Sequence, residues 1–177
     1  VRHPGENPRM DILDRLLGHD AWTTEAVLRC CAALSDEALD RPLGVGLGTV
    51  RATFSHIVKN MEYWTDLIAE RPVRPHPPSP GTQSVPLLLS RLTAASHDLA
   101  ATSRALLRAG RLDDTFTDSP DSDGARFSFG GAIVHVITHS MHHRAQILLM
   151  LRRLGIADLP EGDVLSWEDH LQRHAGA

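Results

Sequence analysis

Cysteine is nearly absent: the chain of 177 residues has two, Cys30 and Cys31, and they are adjacent. That spacing fits neither a CxxC redox pair nor a zinc knuckle, so a disulfide scaffold is excluded and reduced thiols in a cytoplasmic protein are expected. Long apolar runs are missing too. The longest, Cys30–Leu34 and Ile147–Leu151, fall far short of the roughly 18 to 20 residues that a membrane span needs. The first twenty residues show no apolar signal core, so neither a leader nor a membrane partner is expected. Positive charge is also in deficit. With 18 Lys and Arg against 22 Asp and Glu, the net charge is −4 and the pI is near 6.2, so nothing in the composition favours a phosphate backbone and no nucleic-acid partner is expected. Lysine is almost unused, Lys59 standing alone beside seventeen arginines, a bias that hints at a GC-rich bacterial genome rather than at a mechanism.

What is there is an ordinary soluble composition, 42% hydrophobic and 23% charged. A single domain over residues 1–177 is expected, large enough to bury roughly 70% of its unfolded surface. Histidine stands out. Eleven occur, and His135, His139, His142 and His143 fall within nine residues.

Apolar spacing organises the chain into four long helices. Asn7-Pro8 reads as a cap with proline in the first turn, and Met10, Leu13, Leu17, Trp22, Val27 and Leu28 follow at helical spacing, which predicts a first helix over 8–34. Ser35-Asp36-Glu37 can start one short turn before a glycine-rich stretch, Gly44–Gly48, that cannot hold a helix. Thr49 caps the second helix, 49–70, which Arg71-Pro72 stops. Residues 71–84 contain five prolines and form a semi-rigid connection that can reach about 43 Å at about 3.1 Å per residue. A helix of some 22 residues is only about 33 Å long, so the connection can run the length of the molecule. The third helix spans 84–110. Thr115-Phe116-Thr117 and Arg126-Phe127-Ser128-Phe129 flank a turn-rich segment and predict a small hairpin or extended loop. The fourth helix covers 131–154, and a polar tail anchored by Trp167 closes the chain. The fold class is therefore all-α, a four-helix bundle with a long Pro-rich crossover between its second and third helices.

The histidines carry the chemistry. Residues four apart share a helix face, so His135, His139 and His143 form a stripe with His142 on its shoulder. Random placement would give about 0.7 H-x-x-x-H pairs, whereas 135/139, 139/143 and 170/174 are present. The last lies in the polar tail and is expected to be solvated. Ile133, Val136, Ile137, Ile147 and Leu151 surround the first two, and imidazoles on a buried stripe need hydrogen-bond partners or a metal. A mononuclear site needs a third ligand and an open position. His56 in the second helix is the best candidate, because it flanks that helix's apolar face beside Thr53, Asn60 and Tyr63.

These residues resemble the DinB/YfiT-like metal-binding four-helix bundles. The resemblance rests on Pro42–Val58 with His56, continuing to Tyr63-Trp64, on His135–Leu148 with its four histidines, and on His19-Asp20-Ala21-Trp22. One departure is Ala145 in His143-Arg144-Ala145-Gln146, where family members often carry glycine; alanine is the better helix former and leaves the ligands undisturbed. The resemblance implies that His56, His139 and His143 bind one divalent metal, with zinc the first choice and nickel, iron or manganese as alternatives. It also implies an up-down-down-up topology and a homodimer. His135 and His142 are assigned packing or supporting roles.

Three neutral imidazoles leave a metal its full charge and an open position for water or a thiol. The resemblance implies a thiol S-transferase or isomerase in which a low-molecular-weight bacterial thiol, held as thiolate, attacks a small electrophilic substrate. Asn60, His142 and Arg144 are candidates for orienting that substrate. The alternatives are a metal-dependent hydrolase, for which Glu62 and Asp66 are the only nearby carboxylates, and a non-catalytic, stress-linked metal-binding protein. A di-iron bundle is less favoured still, because no histidine has Glu three residues before it. Trp22, Phe54, Met61 and Trp64 sit at core spacing, with Tyr63 and Trp64 able to line a pocket mouth. The Gly44–Gly48 loop and the hairpin around Phe116 and Phe127 can shape that mouth.

Overall fold

A computed structural model describes residues 10–76, 83–118 and 125–174. The chain is mostly helical, with one two-stranded antiparallel sheet among the described residues.

Helix α1 (Ile12–Arg29) opens on a reciprocal cap: the Asp11 carboxylate accepts the backbone N–H of Asp14, whose own side chain accepts that of Asp11. The start expected at Asn7-Pro8 lies outside the described residues. The expected end at Leu34 is corrected to Arg29, because from there the backbone bonds shorten to three-residue steps, Cys31 to Leu28 and Ala32 to Arg29, and the last turn tightens out of α geometry. Helix α2 (Asp36–Leu39) is one turn capped by Ser35. Helix α3 (Val50–Ile68) begins where Thr49 Oγ1 accepts from Ala52 N, and α4 (Val85–Arg108) where Ser84 does the same for Leu87, with Pro86 in its first turn.

Strands β1 (Thr115–Thr117) and β2 (Arg126–Ser128) pair with Phe116 opposite Phe127. The tip expected between them, residues 119–124, lies outside the described residues. Helix α5 (Phe129–Arg153) starts two residues earlier than the spacing predicts, because Ser128 accepts the N–H of Gly131 and caps the helix directly from the strand. The expected polar tail is instead a helix, α6 (Val164–His174). Asp163 accepts the N–H groups of Leu165 and Ser166 at its start, and Trp167, 4% exposed, inserts against Gly18 of α1.

Helices α1 and α3 each pack against both α4 and α5. Their shared core contains Val27 and Leu28, Phe54, Ile57 and Met61, Leu88, Leu92 and Leu99, and Val136, Ile147 and Met150, each worth about 1.5–3 kcal/mol of burial. Phe54 and Met61 are buried as expected, whereas Trp22 and Trp64 are only half-buried at the rim.

Buried charge ties the connections down. Arg51, 2% exposed, donates to Asp36 and Asp40 around α2 and to the carbonyl of Gln83, fixing the end of the Pro-rich connection. At its other end Asp66 accepts from Arg71 and Arg74, which both also reach Asp98. No described helix is long and apolar enough to cross a membrane.

Candidate metal centre

Helices α3 and α5 lie against each other, and the histidines face one another across that seam. His56 comes from α3; His139 and His143 are one turn apart on α5, as four-residue spacing requires. Their ligand atoms all lie within 4.8 Å of one another. His139 Nε2 is 3.1 Å from His56 Nε2 and 3.2 Å from His143 Nε2. Three nitrogens bound tetrahedrally to one ion at roughly 2.0–2.1 Å would stand roughly 3.3 Å apart. Two of the three separations are close to that value and the third lies within 4.8 Å, so the three nitrogens could gather round a single small cation.

Hydrogen bonding points the same way. The Gln146 side-chain oxygen accepts from His143 Nδ1 at 2.9 Å, while its amide nitrogen donates to His142 Nε2 at 2.9 Å. With Nδ1 of His143 carrying the proton, its Nε2 presents a lone pair to the cluster. One nitrogen of His139 cannot act as donor and acceptor at once, so three converging Nε2 atoms are incompletely satisfied by each other. His139 Nδ1 is buried without a partner among the described residues. Burial first, and then the neighbouring imidazoles, push the His139 pKa down to about 4. Burial, His143 and Lys59 lower that of His56 in the same way. Both rings are thus neutral near pH 7, the form a metal requires.

The surroundings sort the remaining candidates. Asn60 lines a cleft of about 250 Å³ with His56, Lys59 and Tyr63. Tyr63 donates its hydroxyl to Asp118 at 2.6 Å, and that bond, then burial, pushes the phenol up to about 12. His135 is exposed and sets its ring edge-on to Trp64 with the centroids 5.1 Å apart, and Trp64 also meets Phe116 and Phe127 of the hairpin. His142 is exposed and held by Gln146. Arg144 is not brought to the cluster: its guanidinium, 4% exposed, turns to α1, where it pairs with Asp20 and donates to Thr24 Oγ1. The neighbouring carboxylates are engaged as well, Glu62 by Arg91 and Asp66 by Arg71 and Arg74. The cluster therefore has no carboxylate among its ligand atoms within the described residues. His170 and His174 stand apart on α6, His170 against Trp22 at 5.3 Å.

A comparison with protein families matches the DinB family over residues 10–170. The chain belongs to the DinB family. The match runs from the cap of α1 into α6, so the three-histidine cluster lies within the part of this DinB chain that carries the relationship. A comparison with curated proteins finds no match.

The spacing argument finds His139 and His143 in this DinB protein but assigns nothing to Gln146 or Asp20. Gln146 was readable: three residues beyond His143 it shares the helix face, where an amide can reach the ring. Asp20 was not, because its partner is 124 residues away.

Proposed function

We propose that this DinB-family protein binds one divalent metal through Nε2 of His56, His139 and His143 and acts as a thiol S-transferase or isomerase with a low-molecular-weight thiol. The observation that carries the metal reading is the convergence of the three nitrogens, with the Gln146 amide turning the His143 lone pair inward. An all-imidazole set suits zinc, and nickel or iron after it. When bound, such an ion supplies Lewis acidity that favours deprotonation of a thiol or water beside it.

The protein's own residues favour the thiol. Water attack calls for a base near the metal, and Glu62 and Asp66 are held by arginines instead. A thiol is already acidic enough to need no such base. The cleft beside His56 gives a small molecule access, with Asn60 on its wall. The half-buried Trp64, with Phe127 and His135, offers an apolar rim on the hairpin side. His142 is exposed, and with its Nε2 held by Gln146 its Nδ1–H is the group that can meet a substrate.

The same reading takes the four long helices as an up-down-down-up bundle; the packing of α1 and α3 against both α4 and α5 supports it. Free Cys30 and Cys31 support a cytoplasmic setting, and the exposed Val134, Met141 and Leu149 on α5 support a homodimer.

The test is metal content by mass spectrometry on tag-free protein, wild type against His56→Ala, His139→Ala and His143→Ala. One equivalent in wild type and its loss in each variant is expected; full occupancy in the variants overturns the site. The cobalt form should then change its electronic spectrum when a thiol is added. A spectrum indifferent to every thiol tried overturns the transferase reading and leaves a metal-binding protein.

A further inference from the structure

The H-x-x-x-H pair of α6, His170 and His174, takes no part in the three-histidine cluster, yet it is built like one edge of it. The two imidazoles lie one turn apart on one helix face, as four-residue spacing requires. Their ring centroids stand 4.3 Å apart, against 4.4 Å for His139 and His143. His174 Nδ1 is 2.8 Å from the carbonyl oxygen of His170. A carbonyl only accepts, so Nδ1 carries the proton and Nε2 of the neutral ring keeps its lone pair. The Gln146 oxygen holds His143 in that same state. Trp22 of α1 packs its indole against His170, with centroids 5.3 Å apart, and limits how that ring can turn.

The pair differs from the cluster in its access to water. His174 is exposed and His170 half-buried. The acidic neighbours on the same helix are taken, Glu168 by Arg15 and Asp169 by Arg173. Two imidazole nitrogens and water oxygens are therefore the donors on offer, the set that suits the tetragonal preference of copper(II) and, after it, nickel(II). We propose that His170 and His174 form a second metal site, a solvent-open two-nitrogen chelate for copper(II) or nickel(II) on α6. With one protein ligand fewer than the histidine cluster and water on its open side, it gives up its ion on desalting. Purified protein thus keeps only the equivalent held by His56, His139 and His143. The second site rests on α6 alone and stands whether or not the protein uses a thiol.

The test is titration of zinc-loaded, tag-free protein with copper(II), followed by electron paramagnetic resonance and tryptophan fluorescence, with zinc in the ultrafiltrate measured by mass spectrometry. Wild type should take up one copper while retaining its zinc. The spectrum should show splitting from two imidazole nitrogens, and emission should fall because Trp22 lies beside a ligand. His174 is exposed at the end of α6, so His174→Gln leaves the fold intact and should abolish uptake, splitting and quenching together. His170→Gln should do the same. His142→Gln, at an exposed histidine of α5, should leave all three unchanged. No uptake by wild type, uptake that survives His174→Gln, or uptake matched by an equal release of zinc overturns the site.

Discussion

Gly46 lies so close against Gln146 that a methyl group in place of its hydrogen would overlap the amide oxygen. That same oxygen accepts from Nδ1 of His143 at 2.9 Å. The loop after α2 therefore reaches the candidate metal centre without contributing a ligand: its backbone limits where the orienting amide can sit. A tight turn holds the loop there, with Leu43 N–H donating to Gly48 O and Gly48 N–H to Val45 O, both at 2.8 Å.

Gly46→Ala should lower metal affinity about tenfold, the lower end of what loss of a ligand's supporting hydrogen bond costs. The Gln146 tip is flexible and gives way to the methyl, leaving His143 without its acceptor. Gly44→Ala is the control. It carries the same positive-φ backbone penalty but meets nothing within 4 Å, so it should cost about 1 kcal/mol of stability and leave metal affinity unchanged. Competition with a chromogenic chelator reads the affinity and thermal unfolding reads the stability. Equal metal affinity in both variants would show that the contact is irrelevant to the site.

Gln146→Leu should produce an affinity loss of about 10- to 100-fold. Combined with Gly46→Ala, it should add almost nothing, because both changes act through one hydrogen bond and coupled neighbours are not additive. Additive losses in the double variant would contradict the shared path.

Asp20→Ala should destabilise the fold by about 3–5 kcal/mol, since it strands the Arg144 guanidinium at 4% exposure. Asp20 is itself buried at 2% exposure, and desolvation raises its carboxyl pKa against the opposing pull of Arg144. Replacing both residues by apolar groups, Asp20→Leu with Arg144→Met, should recover most of the loss. Urea denaturation measures it. A mild effect of the single change would mean that water reaches the pair.

Acid should weaken the protein through Asp66. Burial pushes this carboxyl up, but the Arg74 side chain and backbone N–H, then Arg71, outweigh that and hold it well below its ordinary 3.8. A carboxyl lowered by folding contributes stability that is complete above its unfolded value and is lost as pH falls below it towards the folded one. Asp66→Asn should therefore cost about 3 kcal/mol at pH 7, and the difference from wild type should shrink as pH drops below about 3.8, the unfolded value. Chemical denaturation at pH 7 and pH 3 gives both numbers; a gap that widens in acid would refute the ion-pair assignment.

Gly18→Ala should loosen α6. A Cβ at that position would sit 2.5 Å from Cζ2 of Trp167, an indole ring already 4% exposed. Ring and helix must shift, at a cost of about 1–3 kcal/mol, and limited proteolysis should cut near residue 160 faster than in wild type. The Trp167→Ala change should do the same more strongly. Metal content should not change in either, because α6 supplies no atom to the three-histidine cluster.

The long helices were legible because their signal is local. Thr49 and Ser84 as caps, the three-and-four spacing of Val50, Phe54, Ile57 and Met61, and the stop at Arg71-Pro72 all act within a few residues, and α3 and α4 lie where they predict. Helix α6 was missed for the opposite reason. Most of its residues are polar, and it is anchored by Trp167 seated on Gly18, a contact across 149 residues that no local pattern contains. The end of α1 was overextended because apolar spacing continues through Leu34 while the backbone tightens after Arg29.

The site divides along the same line. Four-residue spacing by itself put His139 and His143 on one face of one helix, and the composition by itself made two cysteines, one lysine and no membrane-length run the boundary conditions of any function. Only the tertiary structure could bring His56 to 3.1 Å from His139, turn Arg144 away to Asp20, occupy Glu62 with Arg91, and lay Gly46 over Gln146. Each of these pairings joins elements far apart in sequence. Their distances are decided by how α1, α3, α4 and α5 pack, and packing depends on the shapes of all four helices together rather than on the period of any one.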